Sequence, residues 1–494
     1  MIFLRAPFFP SFEASRIFHL LRFLAPATVL ADQYDQEDDA TDGWWKVAQA
    51  FQPVNPLKHR LESLCHTSWT REILMIGALL FCAVLPAGAG SVVKVEKPPD
   101  GAFGLVRDGK PYFINGAGGT HNLKDLVKYG GNSIRTWGLE QLDDKVDGKP
   151  LLDRAQELGL TVTAGIWVKG ERQGFNFSDA AKVAQFGQEI RSAVRKYKDH
   201  PALLMWGLGN EMEGMTGSDP AVWKALDVLA RIIKEEDPNH PVMTVIAGYA
   251  SDKIQGIIAN YPSVDVLGVN AYGGASGVGR GLVGFGWKKP FVLTEFGPVG
   301  HWEVAKTSWG APIEPSSRDK AASYYATQAS VVGDGKGLCL GSYVFLWGQK
   351  QEVTSTWYGM FLKSGEKLPT VDAIVYAWSG KWPENRCPKI LKIQTPLREA
   401  VVGRGQEIKA SAEAKDPEGD ALAYEWMVFQ ETTEHSVGGD AESEPPAVEG
   451  CIVSQTGGDA TIRTPDKPGP YRLFLTVRDG KGSASADNIP FLVK

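Results

Sequence analysis

The chain has 494 residues, enough for two or three domains. A hydrophobic content of 43% and a charged content of 22% are ordinary for a globular protein, and a net charge of −6 speaks against a surface built for nucleic acid or another polyanion. Eleven of the fifteen tryptophans fall between residues 110 and 385, where a flat apolar ring serves either a core or the C–H face of a sugar.

In chain order, the first long apolar run is Ile73–Ala87, ILMIGALLFCAVLPA. It is short for a membrane span and suits the core of a signal peptide. Arg71 precedes it, and Ala87-Gly88-Ala89 fits a small-residue cleavage pattern, so the mature protein is expected to begin near Gly90 and to be secreted, periplasmic or held at the cell surface. Residues 1–72 are long for a leader. They hold a weak apolar stretch, Ile17–Ala31, interrupted by His19 and Arg22, and an acidic patch from Asp32 to Asp42. A translation start placed too far upstream accounts for them, and an uncleaved anchor is the competing reading.

Residues 91–109 are expected to form a β extension, with Val92–Arg107 as a hairpin capping a barrel floor. From there short apolar runs alternate with helical patterns. The runs are Tyr112–Asn115, Ser133–Trp137, Thr161–Val168, Leu203–Leu208, Val242–Ile246, Val264–Asn270, Phe291–Glu295 and Gly341–Trp347. Helices are expected over Leu151–Leu158, Asp179–Tyr197, Asp219–Glu235 and Arg318–Val332, two of them opening on the capping signals Ser178-Asp179 and Ser218-Asp219-Pro220. Eight β-then-α units over residues 110–382 predict a (β/α)8 barrel.

After Trp382 the pattern changes. Pro383, Pro388 and Pro396 mark a linker, and Leu422–Val428 and Tyr471–Val477 read as short strands separated by turn clusters. An all-β immunoglobulin-like sandwich is expected over 387–494, with a core of Leu422, Tyr424, Trp426, Leu473, Leu475 and Val477. DPEGDALAYEWMV and YRLFLTVRDGKGSASADN resemble the PKD modules appended to secreted bacterial enzymes. Asp416, Glu418 and Asp420 have the residue types of a calcium site, but their loose spacing favours a solvated turn. Cys387 and Cys451 could pair; Cys339 is expected to be an inert core residue. The module is expected to be a spacer or an adhesion element that adds no catalytic group, so that truncation near Lys381 leaves kcat on a small substrate within about threefold.

Active-site groups of a barrel lie at the C-terminal ends of its strands. Those ends carry Arg135 and Trp137, Trp167, Asn210-Glu211, Asn270 and Tyr272, Glu295 and Trp347. Two carboxylates facing one cavity are what a retaining cleavage of a glycosidic bond requires. Glu213 is the rival of Glu211 but lacks a preceding Asn. Taken singly, the carboxylates could be surface groups, Arg135 a structural ion pair, and Tyr272 and Trp347 core. The glycines at 116, 118 and 119 precede no phosphate-binding Lys and are read as a tight turn. The eight histidines lack metal-ligand spacing, so neither a catalytic metal nor a cofactor is expected.

GNSIRTWG, WGLGNE, VLTEFG and YVFLW resemble the catalytic barrels of clan A glycoside hydrolases, closest to family two. The resemblance spans roughly residues 110–380 and implies that Glu211 is the acid/base and Glu295 the nucleophile. Arg135 and Tyr272 would then support Glu295, Asn210 would meet the sugar 2-hydroxyl, and Trp347 would floor the subsite for the reacting sugar, with Trp137, Trp167, Trp302 and Trp357 as weaker contacts. A transglycosylase would use the same two glutamates, and a non-catalytic carbohydrate-binding protein is the reading from another class. The expected partner is a carbohydrate, with no nucleic acid, no stable membrane association after leader removal, and a monomeric state. The usual family-two N-terminal sandwich domains are not read in the sequence, which puts the family's familiar substrates in doubt.

Overall fold

A computed structural model describes residues 90–99, 101–170, 173–213, 219–334, 337–433 and 439–494. The leader expectation therefore lies outside the described residues, as does Ser218. Three short strands come first: β1 (Val93–Glu96), β2 (Gly104–Arg107) and β3 (Lys110–Tyr112) form an antiparallel sheet. Val93 and Leu105 are buried in one cluster with Leu204, Met243, Val266 and Leu340, near the starts of the barrel strands, so this sheet plugs the N-terminal mouth.

The barrel then closes through eight parallel strands. They are β4 (Ile114–Gly118), β5 (Ser133–Arg135) and, past a small hairpin of β6 (Lys145–Val146) and β7 (Lys149–Pro150), β8 (Thr161–Ile166), β9 (Leu203–Asn210), β10 (Val242–Ala247), β11 (Val266–Asn270), β12 (Phe291–Phe296) and β13 (Cys339–Val344). Its first strand starts at Ile114 rather than at Tyr112, because Tyr112 pairs with Leu105 of β2. Every residue of β8 and β12 is buried. One face of each meets the barrel interior and the other the surrounding helices, which is why these strands read as continuous apolar runs.

The helices are α1 (Leu123–Lys128), α2 (Leu151–Glu157), α3 (Ala180–Tyr197), α4 (Pro220–Glu236), α5 (Ser251–Asn260), α6 (Val278–Gly284), α7 (Ser317–Asp334) and α8 (Pro369–Ser379). Asp179 caps α3 by accepting from the backbone N–H groups of Ala181 and Lys182, and Asp219 caps α4 through Ala221, with Pro220 in the first turn.

The glycines at 116 and 118 do not make the expected turn; both lie within β4. A Cβ on Gly116 would fall 2.3 Å from the Tyr343 ring, and one on Gly118 would fall 3.1 Å from Trp137. The room left by Gly116 lets Tyr343 fill the barrel interior, where its hydroxyl bonds Ser133 Oγ (2.9 Å) and Thr163 Oγ1 (2.6 Å).

Past α8, eight strands build a sandwich: β14 (Lys389–Gln394), β15 (Val401–Val402), β16 (Glu407–Lys415), β17 (Ala423–Gln430), β18 (Ile452–Thr456), β19 (Asp459–Arg463), β20 (Gly469–Arg478) and β21 (Ala484–Val493). They form two four-stranded sheets, ordered β14-β16-β19-β18 and β15-β21-β20-β17. Trp426, Leu473, Leu475 and Val477 are buried between them, while Leu422 and Tyr424 are only partly buried at the edge. Cys387 and Cys451 do not pair; both are free thiols. Cys387 instead touches Lys367, whose Nζ lies 3.4 Å from its sulfur. Asp416 folds its own turn by accepting from the N–H groups of Glu418 and Asp420. Glu418 pairs with Arg386 and Asp420 with Lys481. Among the described residues no cluster of three or more His, Cys, Asp or Glu is arranged to hold a metal ion.

The sandwich is joined to the barrel by buried polar contacts. Glu314, in the segment before α7, accepts from Lys320 (2.6 Å) and from Asn488 of β21 (2.5 Å). Arg472 of β20, almost wholly buried, pairs with Glu431 (2.8 Å) and donates to the Pro312 carbonyl (2.7 Å).

Candidate active site

Local backbone irregularities aim the two carboxylates. β9 and β10 pair in register up to Leu208 opposite Thr244, but Asn210 then stands opposite Val245, so Gly209 is an extra residue. β11 and β12 slip in the same way: Val269 faces Leu293, yet Asn270 faces Glu295, leaving Thr294 as the extra residue. Bulges of this kind turn a strand end and re-aim its side chains. Gly209 has φ 77°, which glycine adopts freely, and Glu211 has φ 52°. A glutamate in the left-handed region is strained and is held there by its surroundings. Its N–H donates to the Val245 carbonyl at 3.0 Å.

Glu295, 6% exposed, is gripped by three donors. Arg135 Nη1 (2.9 Å) and Trp137 Nε1 (2.8 Å) both reach Oε1, and the Tyr272 hydroxyl reaches Oε2 (3.0 Å). Three donors suit an ionised carboxylate, which only accepts. Burial, and then the Glu295 charge, hold the Tyr272 hydroxyl protonated well above its ordinary range, so it remains a donor. Arg135 Nη1 also donates to the carbonyl of the bulge residue Thr294 (3.1 Å), and Nη2 to Asn210 Oδ1 (2.6 Å). With Oδ1 committed to Arg135 and to Asn270 (3.1 Å), Asn210 offers a ligand its amide nitrogen.

Glu211 has one donor, Asn270 Nδ2 at 2.8 Å. Burial first, and the Glu295 charge second, push its carboxyl up to about 7, while the Asn270 bond opposes the rise. The two glutamates thus sit in unlike environments, one bonded by the neutral amide of Asn270 and one held directly by Arg135. This split lets one site keep an acid and an anion together at neutral pH. The rival Glu213 is structural: it points away to Lys253 (2.9 Å) and accepts from the Ala247 N–H (2.7 Å).

Both carboxylates face a cavity of about 1050 Å3, at the upper end of ligand-site volumes. Trp137, Trp167, Asn210, Tyr272 and the two glutamates line it. Trp347 does not. Its ring is fully buried behind β13, against Phe361 (5.2 Å) and Trp378 of α8 (6.4 Å), so Trp347 belongs to the core and the expected subsite floor is corrected. Phe345 and Leu346 line the cavity on that side. Asn270 was expected at a strand end without a role and Trp302 only as a weak contact, whereas Tyr249 and an outer group of His301, Glu303, Lys350 and Glu352 were not foreseen. Asn270 was legible as the polar end of an apolar strand, whereas Trp302, 56% exposed and edge-on to Tyr272, sits in a loop without periodicity. The sandwich also reaches the cavity: Gly439 and Asp440 line it. Lys350 Nζ donates to the Gly439 carbonyl (3.0 Å), and Glu442 accepts from the Val353 N–H (2.6 Å). The module is therefore part of the cavity wall and not a detached spacer.

The glycosyl hydrolases family 2, TIM barrel domain, matches residues 151–297, a stretch that contains both Glu211 and Glu295. The match runs along the barrel from α2 through β12. Solved structures similar to the chain include a Bacteroides uniformis beta-glucuronidase at 14% identity and TM-score 0.43, covering 81% of this chain and 48% of that one. A GH2 beta-galacturonidase from Eisenbergiella tayi bound to galacturonate is 18% identical with TM-score 0.44, covering 59% and 55%. A putative beta-galactosidase from Bacteroides fragilis is 16% identical with TM-score 0.42, covering 82% and 58%. The chain spans about half the length of these proteins. No curated protein matches the sequence.

Proposed function

We propose that the chain is a retaining β-glycosidase acting by double displacement. The observation that carries this reading is the unequal treatment of two carboxylates in one cavity: Glu295 under three donors, and Glu211 with its carboxyl lifted to about 7. Glu211 protonates the glycosidic oxygen while Glu295 attacks the anomeric carbon from the opposite face and forms a covalent glycosyl-enzyme. With its proton gone, Glu211 then draws one from water, which displaces Glu295 and restores the starting configuration. The Asn210 amide meets the 2-hydroxyl, a bond that strengthens as the ring acquires oxocarbenium character. Trp302 and Trp167 offer faces for stacking sugars.

Glu295→Ala is expected to abolish turnover of an aryl β-glycoside. Added azide should restore part of it and yield an α-configured glycosyl azide, since the small anion attacks from the vacated side. A β-configured product, or an active variant, would contradict the assignment. We also propose that residues 73–87 direct export; N-terminal sequencing of protein from its own host should find a start near Gly90, and an intact residue 1 on a membrane-bound product would overturn this.

A further inference from the structure

We infer that the cavity takes an uncharged or cationic sugar and excludes uronides. The inference deepens the glycosidase reading and rests on it. Five carboxylates line the cavity: Glu211, Glu295, Glu303, Glu352 and Asp440. Among the described residues that line it, Lys350 is the one Lys or Arg. That ammonium is already engaged, by Glu352 Oε2 at 2.6 Å and the Gly439 carbonyl at 3.0 Å. Arg135, beneath the floor, is engaged by Glu295 and Asn210. Glu303 is held by the backbone N–H groups of Gly273 (3.0 Å) and Gly300 (2.9 Å), donors that fix a carboxylate in place without cancelling its charge. The cavity wall therefore carries carboxylates from two domains.

A sugar carboxylate brought into this space would need a cation of its own. It would have to take Lys350 from Glu352, leaving that buried carboxylate with His301, 3.9 Å away, as its remaining partner beside Glu303 and Asp440. Like charges placed together in a partly desolvated site are a strong means of rejecting a ligand. A hydroxymethyl group, or an amine, meets no such repulsion, and an ammonium would be attracted.

The test is kcat/KM of the purified full chain on 4-nitrophenyl β-D-glucoside, galactoside, mannoside, glucosaminide, glucuronide and galacturonide. Both uronides should fall about 100-fold or more below the best neutral or amino glycoside. A uronide closer to the best substrate than that would overturn the inference. Asp440→Lys should raise the uronide-to-neutral ratio of kcat/KM by about tenfold or more, mainly through KM; an unchanged ratio would also count against it. Turnover of none of the six would count against the glycosidase reading instead. The charge preference is then read by calorimetry, with isofagomine expected to bind more tightly than its 5-carboxylate analogue and the reverse order overturning it.

Discussion

At the scale of single residues, the Glu211 carboxyl governs the expected pH dependence. A general acid works only while protonated. With its carboxyl raised to about 7 by burial and by Glu295, kcat/KM should fall as pH rises through that region. Asn270 donates to Glu211 and so favours its ionised form. Removing that donor must raise the carboxyl further. Asn270→Ala is therefore expected to move the alkaline limb to higher pH while lowering kcat about tenfold or more through lost positioning. A limb that stays in place, or moves down, would contradict the role given to Asn270. Glu211, Glu295, Arg135 and Tyr272 were legible in the sequence because each ends a recognisable apolar strand. Trp347 ends one too, but its burial is decided by Phe361 and by Trp378 of α8, residues distant in sequence that periodicity cannot place beside it.

At the scale of elements, the barrel was legible because strands covered on both faces leave uninterrupted apolar runs. The bulges at Gly209 and Thr294 were not, since each is a slip between two strands and belongs to neither alone. Yet they decide where Glu211 and Glu295 point. The end of β9 is braced from α5, where Lys253 meets Glu213 with only 11% and 1% of the two side chains exposed. Burial raises the Glu213 carboxyl against the pull of Lys253. Lys253→Met would strand that carboxyl without a cation and raise it further, so the folded protein would bind a proton that the unfolded chain releases. Its cost should therefore grow as pH rises, towards roughly 3–5 kcal/mol once Glu213 is forced to ionise. Thermal melts at pH 5 and pH 8 check this; an equal loss at both, or none, would contradict it.

At the scale of the molecule, the sandwich and barrel share the Glu314–Asn488 and Arg472–Pro312 contacts and a common cavity wall. The two should therefore melt in one calorimetric transition. Arg472→Met should lower that whole transition, because it leaves Glu431 buried without its cation, a loss of about 3–5 kcal/mol. Two transitions, only one of them shifted, would show an independent module. The sandwich itself was readable from its alternating strands. Its docking was not, because Gly439, Asp440 and Glu442 lie in a loop whose composition carries no sign of a partner.

The proposed attack of Glu295 on the sugar is tested most directly by incubating the protein with the 2-deoxy-2-fluoro β-glycosyl fluoride of a sugar it turns over, then mapping the adduct by peptide mass spectrometry. One glycosyl group per chain, on Glu295, is the predicted result. An adduct on Glu211 or Glu303, or steady turnover with inversion and no adduct, would contradict it.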